Sequence, residues 1–109
     1  MKDLDIVLSK LKAFRDERDW EQFHNPKDLA LAINIEAGEL LEEFLWKHHD
    51  DANIDKVKEE LADIFSFALL LADKYDFDVK TIILDKIKLN AIKYPVNKSK
   101  GTATKYDQL

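Results

Sequence analysis

The sequence predicts an all-α fold of four helices, and three observations carry that reading. Only two Gly and two Pro occur in 109 residues, too few turn residues for an all-β chain. Hydrophobic residues make up 46% and charged residues 36%, a mixture that suits amphipathic helices packed together and is too apolar for a disordered chain. Apolar residues also recur at spacings of three and four. The length is that of one ordinary domain.

The first helix carries Leu4, Val7, Leu8, Leu11 and Phe14 on a single stripe and fades at Arg18-Asp19. A linker from Trp20 to Asn25 follows. Asn25-Pro26 marks the next start, because Asn accepts from free N–H groups and Pro at the first helical position gives up no bond. The second helix is expected from Pro26 to about Lys47. Its apolar residues, from Leu29 and Leu31 to Phe44 and Leu45, cover most of the circumference, so burial on several sides is expected. His48 to Asn53 reads as a connection, with no further role for His48 or His49. The third helix, about Ile54 to Tyr75, is expected to turn Val57, Leu61, Ile64, Phe65, Ala68, Leu69 and Ala72 inward. Asp78 is the expected cap of the fourth, which carries Ile82, Ile83, Ile87 and Ala91 and stops by Tyr94 because Pro95 follows.

Residues 1–95 are thus expected to form the domain, and 96–109, with Lys98, Lys100 and Gly101, a mobile basic tail. Short connections make sequential helices antiparallel neighbours. Four helices with this much apolar surface exceed what one chain can cover, so self-association as a homodimer or homotetramer is expected.

Charge and composition narrow the partners. Lys and Arg total 17 against 22 Asp and Glu, a net charge of −5. An acidic surface is poorly suited to nucleic-acid polymers, whose phosphates need basic neutralisation, although a small polyphosphate can be held through metal cations. The chain has no cysteine, which excludes disulfides and thiolate metal sites and fits a cytoplasmic setting. Residues Met1 to Asp5 are too charged for a secretory leader. The uncharged run Ile64–Ala72 is far shorter than the ~20 residues of a membrane span, so no membrane association is expected.

Acid pairs at i, i+3 share a helix face and can share a cation. Spacing alone says little: 22 acids in 109 residues give about four such pairs by chance, and the sequence has five. Context separates them. Glu36 lies among Ala32, Ile33 and Leu40, and Asp63 opens onto the most apolar stretch of the chain. An ionised carboxylate in such surroundings costs several kcal/mol, in idealised estimates tens of kcal/mol, unless it neutralises, pairs or binds metal. No Lys or Arg lies between Lys27 and Lys47, so Glu36 and Glu39 have no basic partner on their own helix. With Glu60 and Asp63 they would form an oxygen-rich, negative cavity suited to Mg²⁺ or Mn²⁺ rather than zinc. The alternative is that these four acids edge a solvated groove or bond to lysines of another helix. Glu42, Glu43, Glu59 and Asp73 read as residues of a solvated face.

Glu36-x-x-Glu39, a gap of 20 residues and Glu60-x-x-Asp63 resemble the E-x-x-E…E-x-x-D signature of the all-α nucleoside triphosphate pyrophosphohydrolases, the MazG-like family. The likeness extends through Ile35–Leu40, Glu59–Ile64 and the run Lys86-x-x-x-Asn90-x-x-Lys93-Tyr94-Pro95. Within the family it is greatest to the dCTP pyrophosphatase branch, through Glu17–His24 and Phe44–Lys47. The resemblance implies a helical, Mg²⁺-dependent enzyme that cleaves an NTP to NMP and pyrophosphate, with dCTP or a related pyrimidine nucleotide as substrate, in house-cleaning of the nucleotide pool. Glu36, Glu39, Glu60 and Asp63 would hold the metal, with Glu36 or Glu39 as base towards water. Lys86, Asn90, Lys93 and Tyr94 fall on or beside one stripe that suits a triphosphate; a solvated helix end is the plain alternative. Trp20 and Trp46 could stack on a nucleobase and His24 could bond its edge, while simple packing is the alternative for the aromatic residues. A redox di-metal bundle would need Glu-x-x-His on two helices, and only Glu21-x-x-His24 occurs. A non-catalytic nucleotide-sensing or dimerisation module remains the other reading.

Overall fold

The computed structural model describes residues 2–109 as helices joined by short turns, with no strand among the described residues. The long helices are α1 (Lys2–Glu17), α2 (Pro26–Glu42), α3 (Ile54–Lys74) and α4 (Val79–Lys93), followed by the single turn α5 (Val96–Ser99). Short 3₁₀ turns occupy Glu21–Phe23, His49–Asp51 and Tyr106–Gln108. The chain forms two compact units, one up to Asp76 and one from Phe77 to Leu109.

In the first unit the helix ends are set by local chemistry. At the end of α1, Trp20 N–H bonds the Arg15 carbonyl (3.1 Å) and Asp19 N–H the Asp16 carbonyl (3.1 Å), with Asp19 left-handed at φ 55°. This double bond is the Schellman stop, here made with Asp in place of the usual Gly. Asn25 caps α2 as expected: its Oδ1 accepts the Asp28 N–H (2.9 Å) and its Nδ2 donates to Asp28 Oδ2 (2.7 Å). Asn53 caps α3 in the same way through the Lys56 N–H (3.2 Å).

Three expectations need correction. The second helix ends at Glu42 rather than near Lys47. The N–H groups of Glu43, Phe44 and Leu45 bond carbonyls three residues back, at 3.2, 3.0 and 3.3 Å, which tightens the last turn, and Trp46 then leaves with φ 62°. The apolar circumference of α2 is also not covered on several sides. Leu29 is fully buried, but Leu31, Ile35 and Leu41 are each about half exposed or more. Of the α3 residues expected inside, Ala72 is buried and Val57, Ile64 and Leu69 are half-buried, whereas Leu61 and Phe65 are exposed. The reason is that within the first unit α2 meets α3 along one seam and α1 covers part of α3, so this unit supplies partners for only one side of α2. Lys12–Asp73 (3.5 Å) and Lys74–Glu21 (3.4 Å) ion pairs join α1 and the Glu21 turn to α3.

In the second unit, α4 stops before Pro95 as expected. Asp78 stands at its cap position but accepts the Thr81 hydroxyl (2.6 Å) instead of a backbone N–H. Beyond α4, Tyr106 packs edge-on against Tyr94 at 6.0 Å and lies under the Lys93 ammonium at 4.9 Å. Gly101 supplies the left-handed turn (φ 80°) between α5 and that segment.

Leu29 is 1% exposed, so Leu29→Ala is expected to cost about 2–5 kcal/mol in urea unfolding. Asn25→Ala is expected to cost about 1 kcal/mol, the loss of one helix cap. A Leu29→Ala variant as stable as the parent would remove α2 from the core.

Candidate active site

Packing of α2 on α3 gathers carboxylates from both. One oxygen each from Glu36, Glu60 and Asp63 lie within 4.8 Å of one another. Glu36 and Glu60 are half-buried and Asp63 is exposed. Glu39, one turn beyond Glu36 and itself exposed, adds its negative charge at both Glu36 and Glu60. Among the described residues of this unit, no ion pair involves any of the four.

The electrostatic result is strain between like charges. Burial pushes the Glu36 carboxyl up to about 7, helped by hydrogen bonds with Glu60 and Glu39 and by the charges of Glu39 and Asp63. At Glu60 the bond to Glu36 acts downward, but burial, Glu39 and Asp63 together outweigh it and leave the group raised. The Oε2 atoms of Glu36 and Glu60 are buried with no hydrogen-bond partner. Buried carboxylate oxygens without partners, in a set of donors that is all oxygen, fit a hard divalent cation such as Mg²⁺.

A cavity of about 290 Å³ adjoins the cluster, and Asp63 belongs to both. Its walls include Phe14 and Arg15 of α1, Trp20 and His24 of the linker, and Phe67 of α3. Trp20 meets Phe14 edge-on at 5.8 Å, and His24 meets Phe67 edge-on at 6.5 Å. Burial holds the His24 imidazole below its usual pKa; the nearby Arg15 and Lys74 charges add to this and Glu21 opposes it. His24 is therefore neutral near pH 7, and its Nδ1 is buried without a partner.

The sequence reading assigned no role to Arg15, which is 5% exposed and lines this cavity. Its Nε donates to Asp16 (2.8 Å) and its Nη2 lies 3.6 Å from Glu21. The Asp16 bond raises its pKa above the usual value despite the opposing effect of burial. A signal was present: Arg15 stands four residues after Leu11 and seven after Leu8, on the inward stripe of α1.

Trp46 is wholly exposed and is not among the residues lining the cavity with Trp20 and His24. Lys86, Asn90, Lys93 and Tyr94 belong to the second unit, where the Tyr94 N–H bonds the Asn90 carbonyl (2.8 Å). Glu21, the acid of Glu21-x-x-His24, is engaged by Arg15 and Lys74. His48 caps a 3₁₀ turn, its Nδ1 accepting the Asp50 N–H (3.2 Å).

The fold is helical and sets an E-x-x-E and E-x-x-D acid cluster, a candidate cation site, beside an aromatic cavity. Comparison with known proteins makes the class specific. The family model described as MazG-like matches residues 31–109, and the chain belongs to the MazG-like family. dCTP pyrophosphatase 1 of Bos taurus is 39% identical over 104 residues, and that of Homo sapiens 35% over the same length. The alignments cover 88% of this chain but only 62% and 61% of those proteins, so the chain spans under two thirds of their length. A crystal structure of a pyrophosphatase from Archaeoglobus fulgidus superposes with a TM-score of 0.80 at 35% identity, over 85% of this chain and 93% of that one. Among the described residues, no helix is long and apolar enough to cross a membrane.

The raised Glu36 pKa has a testable sign. The unfolded chain releases this proton near pH 4.5 and the folded chain near 7, so folding is favoured below that window and loses this contribution as pH rises through it. The metal-free protein is expected to melt at lower temperature at pH 8 than at pH 5.5, and Glu36→Gln to flatten the difference. Thermal melts in chelator check this; a melting point that rises across that interval, equally in the variant, would contradict it.

Proposed function

We propose that this chain is a Mg²⁺-dependent nucleoside triphosphate pyrophosphohydrolase that releases pyrophosphate and NMP from dCTP or a related pyrimidine nucleotide, acting in the cytoplasm to clean the nucleotide pool. The observation that carries the reading is the shared position of Asp63, at once a member of the acid cluster and a wall of the aromatic cavity. One side chain thereby joins a cation site to a space fit for a base. The names of the relatives and the pyrophosphatase neighbour agree with this chemistry.

Glu36, Glu39, Glu60 and Asp63 would hold Mg²⁺, with Mn²⁺ as a substitute. When bound, the cation neutralises the triphosphate and the charge that develops on it during cleavage. Glu36 or Glu39 would take the proton of the attacking water, a role open to a carboxylate held beside it. Trp20 stacks on the base and neutral His24 bonds its edge. Lys86, Asn90, Lys93 and Tyr94 carry the charge and hydrogen bonds that a triphosphate requires. Trp46 would reach a base only from a neighbouring copy. Self-association as a homodimer or homotetramer is supported by the uncovered apolar residues Leu31, Ile35 and Leu41 of α2 and Phe65 of α3.

The deciding experiment is incubation with a panel of NTPs and dNTPs, with and without Mg²⁺, separating pyrophosphate from orthophosphate. Pyrophosphate release that stops in chelator is expected. Nucleotide binding with no release would favour a sensing module instead. Glu39→Gln and Asp63→Asn are each expected to lower turnover by roughly 10²-fold or more with the fold intact by circular dichroism; near-normal turnover would place the metal elsewhere. Light scattering is expected to give two or four chains per particle, and a strict monomer would refute self-association.

A further inference from the structure

Arg15 is the one cationic side chain lining the cavity, and the contacts that hold it use Nε and Nη2. Asp16 and Glu21 hold the guanidinium and offset its charge, while among the described residues Nη1 makes no hydrogen bond. Ser66 lies on the same wall. Its hydroxyl donates to the Ala62 carbonyl (2.7 Å), so what it still offers the cavity is an acceptor. The space between thus presents a fixed donor at Arg15 and an acceptor at Ser66, flanked by the rings of Phe14, Trp20 and Phe67.

We propose that Arg15 is a specificity-determining residue that reads the nucleobase, donating from Nη1 to the acceptor edge of cytosine while Ser66 Oγ accepts from its exocyclic amine. The inference rests on the pyrophosphohydrolase reading for its reaction but only on the cavity for its recognition. Cytosine carries two adjacent acceptors, O2 and N3, and an amine donor at C4. Uracil and thymine have the same shape but bear a proton on N3 and a carbonyl at C4. In this cavity that proton would face a guanidinium donor, and that carbonyl would face an acceptor whose own proton is engaged. Two reversed polar contacts in a largely apolar space leave buried groups unpaired, the situation in which discrimination by hydrogen bonding is strongest. The guanidinium is suited to this because its orientation is set before the ligand arrives.

The test uses the full chain and two variants. Arg15→Met keeps most of the side-chain volume and removes the donors; Ser66→Ala removes the acceptor. In both, Asp16 and Glu21 stay solvated and Glu21 keeps Lys74, so the fold is expected to persist by circular dichroism. The readouts are kcat/KM for dCTP against dUTP, and equilibrium binding of dCMP against dUMP by calorimetry in the presence of Mg²⁺. The parent is expected to favour the cytosine member in both, and Arg15→Met to lower that ratio by roughly tenfold or more. Ser66→Ala is expected to lower it less and in the same direction. If no pyrophosphate forms but dCMP still binds better than dUMP through Arg15, the recognition stands and the hydrolase reading fails. The proposal is overturned if the parent binds both monophosphates alike or neither, or if Arg15→Met loses affinity for both equally and leaves the ratio unchanged.

Discussion

The mutual repulsion of carboxylates held on the seam between α2 and α3 is the constraint on which the rest of the molecule depends. Glu36 is pushed up to about 7 because burial and three acidic neighbours act in one direction, and among the described residues of its unit no cationic side chain pairs with it. A fold does not retain such an arrangement for its own stability, since the same positions filled with apolar residues would pack at lower cost. The carboxylates favour folding only when they are protonated or when a cation is bound. The packing that brings them together must therefore come from elsewhere, from Leu29, Leu70 and Ala72 and from capped, firmly stopped helices.

Those stops serve the site as well as the fold. The Schellman bonds after α1 turn the chain at Asp19 and deliver Trp20 to the cavity wall, and the Asn25 cap then starts α2 within a few residues. Trp20 and His24 are thus pinned between two helix termini and face Phe14 and Phe67 edge-on. The ion pairs of Glu21 with Arg15 and Lys74 tie the same linker to α1 and α3. Exposed ion pairs add little stability, but here one partner is an almost fully buried guanidinium, and its geometry is what they set.

The apolar surface left open on α2 and α3 is the other consequence of so small a core. Burial in this chain is concentrated at the α2–α3 seam and at the face of α3 under α1. A helix that is apolar nearly all round needs partners on several sides, and the first unit by itself provides one side only.

Much of this was legible in the sequence by itself. Period and punctuation gave the helices, and Asn25-Pro26 and Pro95 gave two of their boundaries, because capping and proline sterics act within a few residues. Glu36 and Asp63 stood out through their apolar flanks, which are also local properties, and Glu39 and Glu60 joined them through the resemblance to the family signature. Tertiary structure decided what sequence distance hides. It ended α2 early, where 3₁₀-type bonds and the left-handed Trp46 outcompeted an apolar pattern that continued unbroken, and it left Trp46 outside the cavity that Trp20 and His24 share. It also turned Arg15 into a cavity residue, since a charge on an inward stripe acquires its meaning only when a second helix and a linker close over it. Periodicity reports which face of a helix is turned inward; which residues meet there depends on contacts between distant segments.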